Sequence, residues 1–136
     1  SLGHYTHEKN PFSVRIDLTL LQVIEKDGLV GHAATLGAHG LQRIEAMRQR
    51  QPLVRGARGR GLLFSIELQA GDSGRPVAEI VQSVFWRLLD RGINLSASEG
   101  RDISITSPLV IDRQQLDHAL DQVEAALADE GGPPRR

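Results

Sequence analysis

The stretch V-R-G-A-R-G-R-G-L-L-F-S-I-E-L, residues 54–68, decides the fold. Gly56, Gly59 and Gly61 punctuate two short extended runs. In the second run, Leu62, Phe64, Ile66 and Leu68 alternate with Leu63, Ser65 and Glu67. Side chains along a strand point alternately to its two faces, so one face of this run is wholly apolar and the other mixed. Such a strand needs neighbours in a sheet and helices over its apolar face.

The flanking sequence supplies both. Asn10-Pro11 is a helix start, with Asn capping free amides and Pro suited to the first turn. From Phe12 a strand-like alternation (Phe12, Val14, Ile16, Leu18, Leu20) competes with a helical face (Phe12, Ile16, Leu20, Val23, Ile24). The run continues unbroken to Gly28, too long for an ordinary strand, so it reads as a helix. It is apolar on more than one side, which implies cover from outside its own domain. Asp27-Gly28 ends it, with Gly as a left-handed cap. A second helix runs from about Leu29 to Arg50, with Leu29, Ala33, Leu36, Ile44 and Met47 as its core stripe. Gly37 and Gly40 point to close packing on that helix.

After the two extended runs, Ala70–Arg75 reads as a turn. Pro76 opens a third helix bearing Val77, Ile80, Val81, Val84, Phe85 and Leu88, which Gly92 ends. Ile93–Ala97 and Ile103–Thr106 read as strands joined by Ser98-Glu99-Gly100-Arg101. Asp112 and Gln115 make a capping box for a last helix with the stripe Leu116, Ala119, Leu120, Val123 and Leu127. Gly131–Arg136 reads as a frayed, disordered tail. The order α-α-β-β-α-β-β-α defines an α+β domain with a small, mostly antiparallel sheet.

Composition narrows the function classes. Length (136 residues), 40% apolar and 24% charged residues describe one globular domain or a piece of one. A net charge of −1 recommends neither nucleic acid nor an anionic membrane as partner. With no cysteine the chain has no disulfide or thiolate metal site, which fits the cytoplasm. No run is long enough to span a membrane, and the first residues lack a basic-then-apolar signal pattern. The chain begins at Ser1 and its only methionine is Met47, as initiator removal or truncation would give.

Candidate chemistry is sparse. His4, His7 and Glu8 have no further ligand type nearby and read as polar loop residues rather than a metal site. Gly56-Ala57-Arg58-Gly59 has the GxxG form of a KH loop, but such a loop joins two helices and this one leads into a strand. Aromatic residues are only 4% of the chain, leaving few base-stacking platforms. Arg55, Arg58 and Arg60 therefore read as a solvated face or a subunit contact. Of the two lysines, Lys9 sits in a polar loop and Lys26 near a helix end, and neither has the apolar setting that would depress its pKa.

Four passages carry a resemblance, in one order and spacing. Gly3-His4-Tyr5-Thr6-His7-Glu8-Lys9-Asn10-Pro11 is similar to an H-x-x-T-x-x-x-N-P passage. Val23-Ile24-Glu25-Lys26-Asp27-Gly28-Leu29-Val30 is similar to V-I-x-x-E-G-L-V. Arg58-Gly59-Arg60-Gly61-Leu62 with Ile66-Glu67-Leu68 is similar to R-G-x-G-L…x-x-E-L. Ile105-Thr106-Ser107-Pro108-Leu109-Val110-Ile111 is similar to L-x-P-P-L-x-I. Together they resemble the small C-terminal domain of class III pyridoxal-phosphate (PLP) aminotransferases, of fold type I, from Gly3 to about Leu127.

The resemblance implies that residues 1–28 form a loop and linking helix toward a large domain, and residues 29–130 the small domain. It implies that Thr6 hydrogen-bonds the phosphate of the neighbouring subunit's PLP in a homodimer. The hydroxyl ahead of a helix N-terminus suits a phosphate dianion. The Schiff-base lysine and the carboxylate that pairs with the pyridine nitrogen belong to the large domain, so no catalytic residue is expected within this chain and the chain alone is expected to be inactive. Some members carry a substrate-binding arginine where Ser104 stands, and a serine cannot replace a bidentate guanidinium. The implied reaction moves an amino group between an amine or amino acid and a keto acid or aldehyde. A PLP lyase, mutase or decarboxylase of the same fold, or a non-catalytic α+β dimerisation module, are the alternatives.

Overall fold

A computed structural model describes residues 10–71, 74–97 and 100–130. Helix α1 (Pro11–Lys26) opens on Asn10, whose Oδ1 accepts from the Phe12 amide at 3.0 Å. Gly28, in the left-handed conformation at φ 62°, turns the chain into α2 (Leu29–Arg48). The hairpin β1 (Val54–Arg60) and β2 (Leu63–Leu68) follows, then α3 (Val77–Asp90), β3 (Ser96–Ala97), β4 (Asp102–Thr106) and α4 (Arg113–Glu130). Pro76 occupies the capping position before α3 rather than its first turn. The capping box of α4 forms reciprocally, with the Asp112 amide donating to Gln115 Oε1 at 3.1 Å and the Gln115 amide to Asp112 Oδ1 at 2.8 Å.

The strands make one four-stranded sheet in the order β1-β2-β4-β3, every pairing antiparallel. The alternation of β2 sets its faces: Phe64, Ile66 and Leu68 are fully buried, while Leu63 is 54% exposed. Their register partners on β4, Ile103 and Ile105, are buried too. Helices α2, α3 and α4 cover that face and complete a single core that includes Ile44, Met47, Ile80, Val84, Leu88, Leu116, Leu120, Val123 and Leu127. Burying each such side chain contributes about 1.5–3 kcal/mol.

Two glycines let α2 approach the hairpin. A Cβ on Gly37 would lie 2.2 Å from the Gly61 carbonyl oxygen, and one on Gly40 would lie 2.6 Å from the Phe64 ring. Gly61 holds φ 56° in the two-residue turn between Arg60 and Leu63, which favours glycine.

The structure departs from the sequence reading in three places. The strand expected from Ile93 shrinks to Ser96–Ala97, because Gly92 at φ 78° directs Ile93 and Leu95 toward the core before pairing begins. Helix α2 stops at Arg48, its last turn closed by the Arg50 and Gln51 amides on the Met47 carbonyl. Finally, no residue of α1 is buried. The sequence implied one face covered by its own domain; in the structure Phe12, Ile16, Leu20 and Val23 on one face and Val14, Leu18 and Leu21 on the other are all exposed, α1 meeting chiefly α2. The expected tail at residues 131–136 and the loop at residues 1–9 lie outside the described residues.

Candidate functional site

Among the described residues the second face of the sheet carries no helix, and the sequence decides which side chains it displays. Antiparallel register puts directly opposite residues on one face. Arg58 opposes Ser65, Ser65 opposes Ser104, and Ser104 opposes Ser96, so these four form one row across the sheet. Arg60, Leu63 and Thr106 form the next row, and Gly56, Glu67 and Asp102 the row on the other side.

Arg58, Gly59, Arg60, Leu63, Phe64, Ser65, Asp102 and Ser104 line an open depression of about 350 Å³ on this face. The Arg58 guanidinium spans β2 to pair with Asp102 on β4. Asp102 also accepts from Ser65 Oγ at 3.3 Å. Arg55 reaches Glu67 at 3.1 Å, while Arg60 makes no ion pair among the described residues. The arginine run is therefore not a uniformly solvated face: two members are tied to carboxylates and one points a free cation at the depression's edge. Gly56–Gly59 lies within β1, which disposes of the KH-type loop.

Ser104 stands in the middle of this face, at the position where the resemblance places a carboxylate-binding arginine. The sequence reading took Ser104 alone. It missed Asp102 and Ser65, although the alternation D-I-S-I-T already set Asp102, Ser104 and Thr106 on one side of their strand.

Two further polar clusters hold helices together. Between α2 and α4, His39 Nε2 donates to Asp117 at 2.7 Å and Arg113 donates to His39 Nδ1 at 2.8 Å. The hydrogen bond from His39 holds the Asp117 carboxyl below the usual range, with Arg43 at 3.1 Å adding to it. At the end of α4, the Glu130 side chain is 1% exposed and accepts from Arg75 at 2.5 Å, Ser83 at 2.5 Å and Arg87 at 2.7 Å. Burial pushes its carboxyl up, and the bonds from Ser83, Arg75 and Arg87 more than reverse this, leaving it lowered. His32 Nε2 lies 2.8 Å from the Ile111 carbonyl oxygen and ties α2 to the loop before α4. Among the described residues no group of three or more His, Asp or Glu side chains could hold a metal.

As for a cofactor, Thr6 and Lys9 lie outside the described residues. Lys26 is exposed in the last turn of α1, without the apolar surroundings an imine-forming lysine needs.

Comparison with known proteins agrees with this geometry. The family described as Aminotransferase class-III matches residues 3–127, and the chain belongs to that family. It is 33% identical over 129 residues to the (R)-1-hydroxy-2-aminoethylphosphonate ammonia-lyase of Vibrio splendidus, covering 94% of this chain and 27% of that protein. An ornithine aminotransferase of an Exiguobacterium species is 31% identical over 119 residues, covering 88% of this chain and 27% of that protein. A solved transaminase structure with L-alanine superposes with a TM-score of 0.84 at 28% identity, covering 95% of this chain and 31% of that one. The chain therefore spans under a third of the length of these relatives, matching their C-terminal portion.

Proposed function

We propose that this chain is the small domain of a PLP-dependent transaminase, in which an amino group passes between an amine or amino acid and a keto acid or aldehyde. The observation that carries this reading is the family match over residues 3–127, together with a transaminase-like fold along 95% of the chain. Residues 1–28 lead from the large domain and residues 29–130 form the small one. A large domain seated on α1 and a second copy completing a homodimer are the partners.

PLP, when bound, supplies an electron sink for the bond broken at the substrate's α-carbon. The Thr6 hydroxyl would donate to the phosphate of the neighbouring subunit's cofactor and help to hold it. The chain by itself carries no lysine suited to imine chemistry and is inactive. A cysteine-free composition supports a reducing, cytoplasmic compartment, and among the described residues no helix is long and apolar enough to cross a membrane.

A second reading, an ammonia-lyase of the same fold, is favoured by the 33% identity to the Vibrio splendidus enzyme. Supplying the complete protein with PLP and an amino donor, and measuring keto acid and free ammonia in parallel, separates the two. Transamination turns over beyond one equivalent of keto product per active site only when an acceptor is present; elimination releases ammonia in repeated turnovers without one. Formation of neither product overturns both readings.

The role of Thr6 is tested by dialysis of the loaded enzyme. Thr6→Val is expected to weaken cofactor retention by about 1.5–3 kcal/mol, the range of a hydrogen bond to a charged group, and Thr6→Ser to be mild. Retention equal to the parent in Thr6→Val removes Thr6 from the site.

A further inference from the structure

We propose that Gly28 is a hinge about which residues 29–130 swing as one body relative to α1, opening and closing the gap between the small domain and the large one. The hinge follows from this chain alone; its use in closure rests on the reading above that α1 seats against a large domain.

The joint is one glycine between two capped helices. Asn10 caps the start of α1, and at its end the Asp27 amide donates to the Val23 carbonyl at 3.0 Å and the Gly28 amide to the Glu25 carbonyl at 3.2 Å. On the other side the Gly28 carbonyl accepts from the His32 amide at 3.1 Å, in the first turn of α2. Gly28 thus closes one helix with its N–H and opens the next with its C=O. Rotation about its φ and ψ turns one helix against the other while both bonds are kept, and glycine has the widest range of such rotation. Packing does not fix the angle either. No residue of the passage Val23–Val30 is buried, and a Cβ on Gly28 or on Gly31 would meet nothing within 4 Å.

Beyond the joint, α2 is tied to the rest of the domain along its length. His32 Nε2 lies 2.8 Å from the Ile111 carbonyl oxygen, His39 reaches Asp117 at 2.7 Å, and Arg50 reaches Glu124 at 2.9 Å. Gly37 and Gly40 set the same helix against the hairpin. Residues from His32 onward therefore move together. With a stiff helix on one side and a packed domain on the other, bending concentrates at the residue between them. Hinges of this kind sit at the ends of elements, where a few torsions absorb the whole change. Once α1 is held by a large domain, the swing carries the entire small domain, sheet included.

Distances between spin labels test the hinge. The chain has no cysteine, so introduced cysteines are the only labelled sites. Arg15→Cys on α1 with Gln82→Cys on α3 spans the joint, and Ala38→Cys on α2 with Gln82→Cys is the control within the domain; all three positions are exposed. Double electron–electron resonance is recorded on labelled chain diluted with unlabelled chain, at a concentration where light scattering reports a monomer. The 15–82 distance distribution is expected to be broader than the 38–82 one. Gly28→Asn, which tolerates the left-handed conformation but narrows the accessible torsions, is expected to sharpen it. A 15–82 distribution as narrow as the control overturns the hinge. So does one that stays broad in Gly28→Asn with α1 still helical by circular dichroism, which would assign the breadth to other residues. Hydrogen exchange in the complete, PLP-loaded protein reports separately on the seating of α1: residues 12–24 unprotected there would overturn closure against a large domain, while the distances still decide the hinge.

Discussion

Helices α1 and α2 follow one another across Gly28, and only the second is packed. Both start well: Asn10 caps α1, and Gly28 turns the chain into α2. Both are rich in apolar residues. Yet α2 buries Ala33, Leu36, Gly37, Gly40, Ile44 and Met47, whereas Phe12 in α1 is 74% exposed, Val14 60% and Ile16 55%. Local sequence decides that a helix forms; what stands opposite decides whether its apolar side is buried. Gly37 and Gly40 create an opposing surface for α2 by letting the hairpin come within backbone distance. Helix α1 has no such surface among the described residues. Covering even a few of its side chains contributes about 1.5–3 kcal/mol each, comparable with a large part of a domain's net stability. In the proposed enzyme the large domain supplies that cover.

The contrast can be broken by substitution, and chemical denaturation of the chain gives the scale. Ile44→Ala removes a fully buried side chain from α2 and is expected to cost about 2–5 kcal/mol. A loss below about 1 kcal/mol would mean that α2 is not docked as described.

Gly37→Ala comes next. The added methyl meets the Gly61 carbonyl, part of a backbone turn that cannot rotate away, and the expected cost is about 1–3 kcal/mol. A neutral outcome would show the hairpin to be looser than its register implies.

Glu130→Gln probes the polar end of the packed region, where three donors converge on one carboxylate. Arg75 and Arg87 are partly exposed, so solvent screens them, and the expected cost is about 1.5–3 kcal/mol. The pH dependence has a definite sign. A carboxyl whose folded pKa is lowered contributes its stability above the ordinary glutamate value. That stability is lost as pH falls through the lowered folded value. The parent should therefore lose stability in acid more steeply than Glu130→Gln, and equal slopes would remove Glu130 from the account.

The smallest effect sharpens the comparison most. Ile16→Ala in this chain is expected to change stability by less than about 0.5 kcal/mol, because its side chain is already exposed. In the complete enzyme the same change should cost several times more. Alongside it, light scattering over a concentration series is expected to show self-association through α1, and hydrogen exchange to show α1 unprotected at low concentration. A strictly monomeric chain with residues 12–24 protected would contradict the exposed helix.

The legible parts of this molecule were local. Alternation from Leu62 to Leu68 gave the central strand and its buried face, and Asp112 with Gln115 gave the start of α4. Both signals act within a few residues, where physical chemistry leaves few choices. The resemblance across four passages was legible for the same reason, and the family match bears it out. The partnership of Arg58 with Asp102 was not legible, because it depends on β2 and β4 pairing with Ser65 opposite Ser104, a register no local pattern specifies. Glu130 was missed outright. A glutamate in the last turn of a helix, before Gly131, looks like a solvated charge, and at that end the helix dipole disfavours it. Only the distant Arg75 and Arg87 make it a buried anchor. The bareness of α1 was half legible: two apolar faces were visible in the sequence, but that neither is covered follows from the placement of the sheet.

The edge position of β1 bears on how the chain survives its own synthesis. Strand β2 pairs first with β1 through a two-residue turn, while its other edge waits for β4, which emerges only after α3. At about 5–20 residues per second, that leaves the sticky Phe64–Leu68 edge bare for some seconds on the ribosome. The opposite rim of the nascent hairpin carries Arg55, Arg58 and Arg60, whose mutual repulsion keeps two unfinished hairpins from stacking edge to edge. Arginines along the exposed edge strand thus act as gatekeepers against aggregation before the sheet is finished.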